Sequence, residues 1–182
     1  MSDSARRVTT PYEGRPHRTW DPDAGIEAPL HLHDTPVPPE WLDYNGHMSE
    51  SCYLLAFGDN ADAFFRFIGI DEDYRAAGHS LYTVQTHLHH RREASEGDLL
   101  AMTLRVLDLD EKRVHIFHEM FLGGTELLVA TAEQMLVHVD SGAGRSAPMP
   151  RDLLQRLGAI HRAHAQLAIP DAVGRPMRID RA

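Results

Sequence analysis

Residues 49–69 read SESCYLLAFGDNADAFFRFIG and carry the clearest helical pattern in the chain. Apolar side chains recur there at spacings of three and four residues, at Leu54, Phe57, Ala61, Phe64 and Ile68. This spacing places them on one side of a helix, with the charged residues of the stretch on the other side. Ser49 stands where an N-cap is needed, and Gly69 is placed to end the helix. The pattern predicts one long helix whose apolar side packs against a sheet.

Four segments with strand character follow this helix. They cover about residues 80–90, 98–107, 114–122 and 126–139. Their connections are too short for parallel crossovers, so neighbouring strands must run antiparallel. Gly123 and Gly124 predict the turn of a long hairpin that covers residues 113–139.

Shorter elements flank this region. Residues 30–37 predict an edge strand that the prolines at positions 38 and 39 end. Apolar residues in helical register predict a C-terminal helix over about residues 151–168. The order is therefore strand, loop, long helix, four antiparallel strands and helix. It indicates an α+β fold, with the long helix covering one face of a curved sheet.

The length and composition fit one globular domain. The chain has 182 residues, of which 42% are hydrophobic and 25% charged. Residues 1–29 are rich in Pro, Gly, Arg and Asp, which predicts an N-terminal arm that is a loop or partly disordered. Residues 30–182 are expected to form a single domain that includes the C-terminal helix.

Charge and residue usage exclude several classes of function. The net charge of −9 argues against nucleic acid or an anionic membrane as the partner. No apolar run is long enough to span a bilayer, and the start of the chain has no apolar signal core, so a cytoplasmic protein is expected. The one cysteine, Cys52, cannot form an internal disulfide. His87 and His89 share a strand face, but no thiolate or carboxylate cluster completes a metal site, so no metal is expected.

Residues 41–50, WLDYNGHMSE, lie between the first strand and the start of the long helix. The first turn of a helix has unpaired N–H groups and a positive dipole end, which can stabilise an oxyanion. Asp43 lies just upstream, and Gly46 permits a sharp turn. Two interpretations stay open from these residues alone. Either Asp43 caps the loop while His47 packs under the helix, or the carboxylate acts on a bound substrate.

The string Asp43 to His47, followed by a long apolar helix, resembles the Asp-x-x-Gly-His segment of the 4-hydroxybenzoyl-CoA thioesterase type of hot-dog-fold proteins. The resemblance covers about residues 30–140. It implies a five-stranded antiparallel sheet wrapped around one long helix, and a homodimer or higher homo-oligomer with active sites at the subunit interface. More narrowly, WLDYNGHMSE is similar to a segment of the betainyl-CoA thioesterases of bacterial carnitine degradation. The strings GHSLYTV, DEKR and AEQM, at 78–84, 110–113 and 132–135, share this similarity.

This resemblance implies an acyl-CoA thioesterase that hydrolyses betainyl-CoA to glycine betaine and free coenzyme A, with no metal or organic cofactor. The aspartate at this position is the family's catalytic carboxylate, a role that carries over to Asp43 as nucleophile or as general base. The motif and helix start would supply the oxyanion site through Asn45, Gly46, His47, Met48 and Ser49. Many hot-dog thioesterases have two asparagines where this chain has Ser49 and Glu50.

Aromatic and basic residues suggest how the substrate binds. The rings of Trp41, Tyr44 and Tyr53, with the carboxylate of Glu50, are what a quaternary ammonium group prefers, although packing in the core or an interface explains the rings equally well. The basic residues that could hold the coenzyme A phosphates are Arg91, Arg92, Lys112 and Arg113. Two alternative functions are a thioesterase for another short or aromatic acyl-CoA and a non-catalytic module that binds or senses acyl-CoA.

Overall fold

The computed structural model describes residues 9–179. Its helices are α1 (Glu50–Phe67), α2 (Glu72–Ala76) and α3 (Arg151–His164), with a 3-10 turn at Pro39–Trp41. Its strands are β1 (Leu30–Pro36), β2 (His79–His90), β3 (Leu99–Leu109), β4 (Arg113–Leu122), β5 (Leu128–Asp140) and β6 (Arg145–Ser146). The predicted element order is confirmed, and α2 and the short β6 are additions to it.

The sheet is antiparallel throughout, with the strand order β1-β3-β4-β5-β2. The two residues of β6 pair with the end of β5, beyond the point where β4 begins. The five long strands curve around α1, and α3 packs on the same side of the sheet, mainly against β3. This is the predicted α+β hot-dog fold with an additional C-terminal helix.

Helix α1 is buried on more sides than an amphipathic pattern predicts. Phe57 and Phe64 are fully buried against the sheet, but Asp62 and Arg66 on the charged side are buried as well. The Arg66 guanidinium donates to Asp62 at 2.7 Å and to Glu72 of α2 at 2.6 Å. Leu54, assigned to the core-facing side, is 45% exposed, so that assignment was wrong. Asp62 and Arg66 are buried because α2 and the N-terminal residues cover their side of α1, while the sheet covers the other side.

The ends of the two longer helices depend on contacts with other elements. Gly69 has a φ of +92°, and a side chain there would also collide with the Arg156 guanidinium, which donates to the Ile68 carbonyl at 2.8 Å. Helix α3 ends at His164, before the predicted residue 168. The buried His164 ring accepts a hydrogen bond from the Val106 amide at 2.9 Å and faces the Glu27 carbonyl at 3.0 Å.

Strand β2 and the β4–β5 turn differ in detail from the prediction. A register shift between Thr83 and Gln85 interrupts the regular alternation of β2, and Val84 is 61% exposed. The β4–β5 connection covers residues 123–127, and only Gly124 of its two glycines has a positive φ, of +73°. The turn is therefore longer than a two-residue hairpin turn.

The N-terminal residues lie along α1 and β1. Residues 9–29 form turns and irregular backbone, and residues 1–8 of the predicted arm lie outside the described residues. The Trp20 ring packs edge-on against Phe67, with centroids 5.7 Å apart, and the Thr10 hydroxyl donates to Asp62 at 2.6 Å. Within residues 9–179, no helix is both long enough and apolar enough to cross a membrane.

Candidate active site

The loop between the 3-10 turn and α1 folds back on itself as a tight hairpin. The Ser49 amide donates to the Trp41 carbonyl at 2.8 Å, and the Asp43 amide donates to the His47 carbonyl at 2.8 Å. Gly46 closes the turn with a φ of +78° and donates to the Asp43 carbonyl at 3.0 Å. These bonds return Asp43 to the neighbourhood of the first turn of α1.

The Asp43 carboxylate is held by its own loop. Its Oδ1 accepts a hydrogen bond from the Asn45 amide at 2.7 Å, while its Oδ2 has a longer contact of 3.5 Å with Asn45 Nδ2. Asp43 as a whole residue is half-buried, and the hydrogen bonds of its carboxylate lie at the surface. The pKa of Tyr53 in α1 is raised, first by burial and then by the negative charges of Glu93, Asp43 and Asp98, so Asp43 lies within electrostatic range of this helix.

The N-terminus of α1 faces this loop. Ser49 is the N-cap residue, as predicted, but in the described part of the chain its side chain makes no capping hydrogen bond. The Ser49 amide donates to the Trp41 carbonyl, and the Cys52 amide donates to the Ser49 carbonyl at 2.9 Å. In the described part of the chain, the Glu50 and Ser51 N–H groups are therefore the ones left for a ligand at the positive end of the helix. Glu50, the first helical residue, is exposed beside them.

A cleft of about 410 Å³ opens between the start of α1 and the end of β2. Its lining residues are Met48, Glu50, Tyr53, His90, Arg91, Arg92 and Glu93. The structure thus brings five predicted site residues together from two distant parts of the sequence, whereas Asp43 lies in the adjacent loop and is not among the residues that line the cleft. His90 and Glu93 were not predicted. Their only sequence signal is adjacency to Arg91 and Arg92.

Two of the predicted aromatic residues do not line this cleft. Trp41 is half-buried and packs against the core cluster around Phe57, whereas the Tyr44 side chain is 95% exposed. Tyr53 is only 3% exposed, and the edge of its ring meets the His90 ring at a centroid distance of 4.8 Å. In this single chain, the three rings do not come together around Glu50.

The two predicted basic pairs lie at opposite ends of the sheet. No described residue forms an ion pair with the Arg91 or Arg92 guanidinium, and both residues border the cleft. Lys112 and Arg113 lie at the β3–β4 turn, at the other end of the strands. The 11 residues of β3 span about 33 Å between these two ends of the sheet. Arg113 binds the Asp110 carboxylate at 2.6 Å, and this contact lowers the pKa of Asp110 to about 2.

His87 and His89 of β2 were the residues considered as metal ligands in the sequence. His87 Nε2 and His89 Nε2 lie 3.0 Å apart. Across residues 9–179, no group of three or more His, Cys, Asp or Glu side chains could hold a metal ion.

The chain is similar to known thioesterases over most of its length. A profile of the Thioesterase-like superfamily matches residues 37–157. An L-carnitine dehydrogenase/betainyl-CoA thioesterase from Rhizobium sp is 48% identical over 158 residues, which cover 87% of this chain and 32% of the relative. This chain therefore spans about a third of the first relatives that it matches. A betainyl-CoA thioesterase from Pseudomonas aeruginosa is 43% identical over 147 residues, which cover 80% of this chain and 92% of the relative.

Solved structures share the fold. A proposed thioesterase from Pseudomonas putida KT2440 aligns with a TM-score of 0.75 at 30% identity, over 86% of this chain and 100% of that one. A Staphylococcus aureus protein, solved in complex with CoA, aligns with a TM-score of 0.77 at 23% identity and with the same coverage. At that identity the second likeness concerns the fold alone.

Proposed function

The chain belongs to the thioesterase-like superfamily, and on that premise we propose that it is an acyl-CoA thioesterase that hydrolyses betainyl-CoA to glycine betaine and coenzyme A. One observation carries the proposal. The carboxylate of the half-buried Asp43 lies in a loop that folds back on the open N-terminus of α1. Hydrolysis of a thioester by a carboxylate needs that carboxylate and N–H donors for the oxyanion at one place.

The chemistry follows from this pairing. The Asp43 carboxylate either attacks the thioester carbonyl to form a mixed anhydride, or takes a proton from a water molecule that attacks instead. Both routes place negative charge on the carbonyl oxygen, which the N–H groups of the first turn of α1 stabilise. Both expel the coenzyme A thiolate. On the first route a water molecule then hydrolyses the anhydride, which releases glycine betaine, restores the Asp43 carboxylate and supplies the proton that the thiolate takes up. On the second route the protonated Asp43 carboxyl passes the proton of the attacking water to the thiolate. The thioester carbonyl is already electrophilic, so these groups need no metal or organic cofactor.

Arg91 and Arg92 are the proposed sites for the coenzyme A phosphates. Their guanidinium groups border the cleft, and planar guanidinium groups suit the bidentate recognition of phosphate. Glu50, at the start of α1, supplies negative charge on the opposite side of the cleft from the arginines and would favour a substrate with a quaternary ammonium group. The relative of this name from Pseudomonas aeruginosa supports that choice of acyl group.

We also propose a homodimer, formed through β2. This 12-residue strand is a free edge of the sheet in the single chain, and its Tyr82 and Val84 side chains are 53% and 61% exposed. Leu54 and Leu55 of α1 are also exposed. An antiparallel pairing of two β2 strands would reverse one sheet relative to the other. That arrangement would place the end of the partner's sheet that carries its β3–β4 turn on the side of the cleft end of this chain.

A panel of acyl-CoA esters tests the function directly, with release of free thiol as the readout. Betainyl-CoA should give the highest kcat/KM, above its neutral carbon isostere, tert-butylacetyl-CoA. A higher kcat/KM for the neutral or an aromatic ester would identify a different acyl-CoA thioesterase. Binding of CoA without hydrolysis of any ester would identify a non-catalytic module. A cytoplasmic location belongs to the same proposal and is tested by cell fractionation.

A further inference from the structure

Residues 91–94, here called the cleft segment, form one wall of the cleft directly after β2. Both N–H groups at its start donate to the Val129 carbonyl of β5, at 2.8 and 3.0 Å. At its other end, the fully buried Ala94 accepts a hydrogen bond from the Met48 amide at 2.8 Å. The cleft segment is therefore tied to the sheet on one side and to the Asp43 loop on the other.

The hydroxyl of Tyr53 ties the cleft segment to α1. It donates to the Arg92 carbonyl at 3.4 Å and accepts from the Ala94 amide at 3.2 Å. Burial, the main cause, raises the pKa of Tyr53, so the hydroxyl keeps its proton and can donate. The ring meets His90 edge-on and is 3% exposed. The polar end of this side chain thus makes the specific contacts, rather than an open ring face.

We propose that Tyr53 is a positioning residue whose hydroxyl holds the cleft segment so that Arg91 and Arg92 bind the phosphates of coenzyme A. This inference rests on the proposed thioesterase function and deepens it. The sequence pattern suggested that the ring of Tyr53 belongs to a cation–π cage. The proposal instead gives Tyr53 a positioning role, which its hydroxyl performs.

The loss of this hydroxyl has a definite consequence. The Ala94 amide is buried and would lose its partner, and the Arg92 carbonyl would lose a donor, so the backbone that carries both arginines would shift relative to α1. Asp43 is held by the bonds of its own loop, and within residues 9–179 no hydrogen bond joins it to Tyr53. The change should therefore weaken coenzyme A binding while the chemical step persists.

The test is Tyr53→Phe, which keeps the ring and removes only the hydroxyl. We expect KM to rise about three- to tenfold for betainyl-CoA and tert-butylacetyl-CoA alike, the size expected for one or two modest hydrogen bonds. The value of kcat should stay within about twofold. The Kd of free CoA, measured by calorimetry, should rise by the same factor as KM. A cage role predicts the opposite: the retained ring would preserve binding, and any loss would be confined to the charged ester.

Tyr12→Phe is the matched control. The Tyr12 hydroxyl is also partly buried and bonds His33 and the Leu32 carbonyl, on β1 at the opposite edge of the sheet. Both variants should lose some thermal stability, but Tyr12→Phe should keep the KM of the wild type. An unchanged KM in Tyr53→Phe would overturn the proposal, as would an equal rise of KM in both variants.

The CoA titration separates this proposal from the proposed function. A wild type that binds CoA but hydrolyses no ester would refute the thioesterase function alone, and the Kd of Tyr53→Phe would then decide the role of Tyr53. A wild type that binds no CoA would overturn the positioning role as well.

Discussion

At the scale of single residues, the position of the Asp43 carboxylate depends on two of its neighbours. The Asn45 amide occupies one carboxylate oxygen, and the positive φ of Gly46 lets the loop return to α1. The second oxygen has only the longer 3.5 Å contact with Asn45 Nδ2 among the described residues. Asp43 thus organises its loop, as the first interpretation held, but the His47 side chain is 41% exposed and its Nε2 lies 3.5 Å from Glu93 Oε2, so it does not pack under the helix. The second interpretation, a carboxylate that acts on a bound substrate, is the one proposed above.

We expect Asp43→Asn to lower kcat about 100-fold or more, the usual contribution of a positioned acid–base group. An amide oxygen can still accept from the Asn45 amide, so the loop and the fold should persist. The measurement is kcat with saturating betainyl-CoA, with circular dichroism and a thermal melt as controls for folding. Near-normal turnover in a folded variant would contradict the proposed role.

Glu50 provides a second prediction at this scale. Its carboxylate is exposed at the cleft, so water screens its attraction for a cationic acyl group. We expect Glu50→Gln to lower the preference for betainyl-CoA over tert-butylacetyl-CoA about threefold in kcat/KM. Asp23→Asn removes one exposed charge from the N-terminal residues and should leave this preference unchanged. Equal losses for both esters in Glu50→Gln would remove Glu50 from the determinants of specificity.

At the scale of elements, strand β2 contributes both to the cleft and to the proposed dimer, because it borders the cleft and forms a free edge of the sheet. Its register shift lies midway along the strand, beside the exposed Tyr82 and Val84. Bulges normally protect an edge from further pairing, yet exposed apolar residues favour burial. The strand therefore suits a specific partner better than unspecific association.

We expect Val84→Lys to convert the dimer to a monomer, because the ammonium group would be desolvated without a partner in the interface. Sedimentation velocity at assay concentration measures the change, and kcat/KM should fall with it. His31→Lys on β1 is the control. That side chain already contacts Asp34 at the other edge of the sheet, and the variant should remain dimeric. A wild type that is active as a monomer would refute the proposed dimer.

A line of polar groups crosses the core of the whole molecule from α1 to β2. Asn60 Nδ2 donates to His118 Nδ1 at 2.9 Å, His118 Nε2 donates to Gln134 Oε1 at 3.2 Å, and Gln134 Nε2 donates to Thr86 Oγ1 at 3.2 Å. His118 is fully buried, and burial lowers its pKa to about 4. These bonds require the neutral ring, with its proton on Nε2.

This line predicts a pH dependence of folding. The unfolded chain binds a proton on His118 near pH 6.5, while the folded chain resists it down to about pH 4. The stabilising contribution is thus complete above pH 6.5 and is lost as the pH falls, by about 2 kcal/mol at pH 5. Asp59, whose pKa burial raises to about 6, acts in the opposite direction, so only a comparison isolates His118.

Urea denaturation at pH 7.5 and pH 5 makes that comparison between the wild type and His118→Gln. The wild type should lose more of its free energy of unfolding between the two pH values than the variant does. Asp59 is present in both proteins and cancels in the difference. Equal losses would show that His118 binds a proton equally well in the folded and unfolded chains, and that burial does not lower its pKa.

Local patterns in the sequence were sufficient for the elements and for the loop that carries Asp43. The period of the apolar residues predicts α1, the short connections require an antiparallel sheet, and Gly69 ends the helix as expected. The segment around Asp43 is continuous in sequence, so its loop and its position before α1 could be predicted. Each of these features depends on neighbours within a few residues, and their spacing is visible in the chain itself.

Only the tertiary structure decided which distant groups meet. The Tyr53 hydroxyl and the Arg92 carbonyl are 39 residues apart in sequence, and the ring of His164 bonds the Val106 amide across 58 residues. The burial of Arg66 likewise depends on α2 and on the N-terminal residues that cover its side of α1. Such contacts cannot be predicted from the spacing of residues in the sequence. The curvature of the sheet sets the distance between two elements, and the sequence of either element alone does not determine that distance.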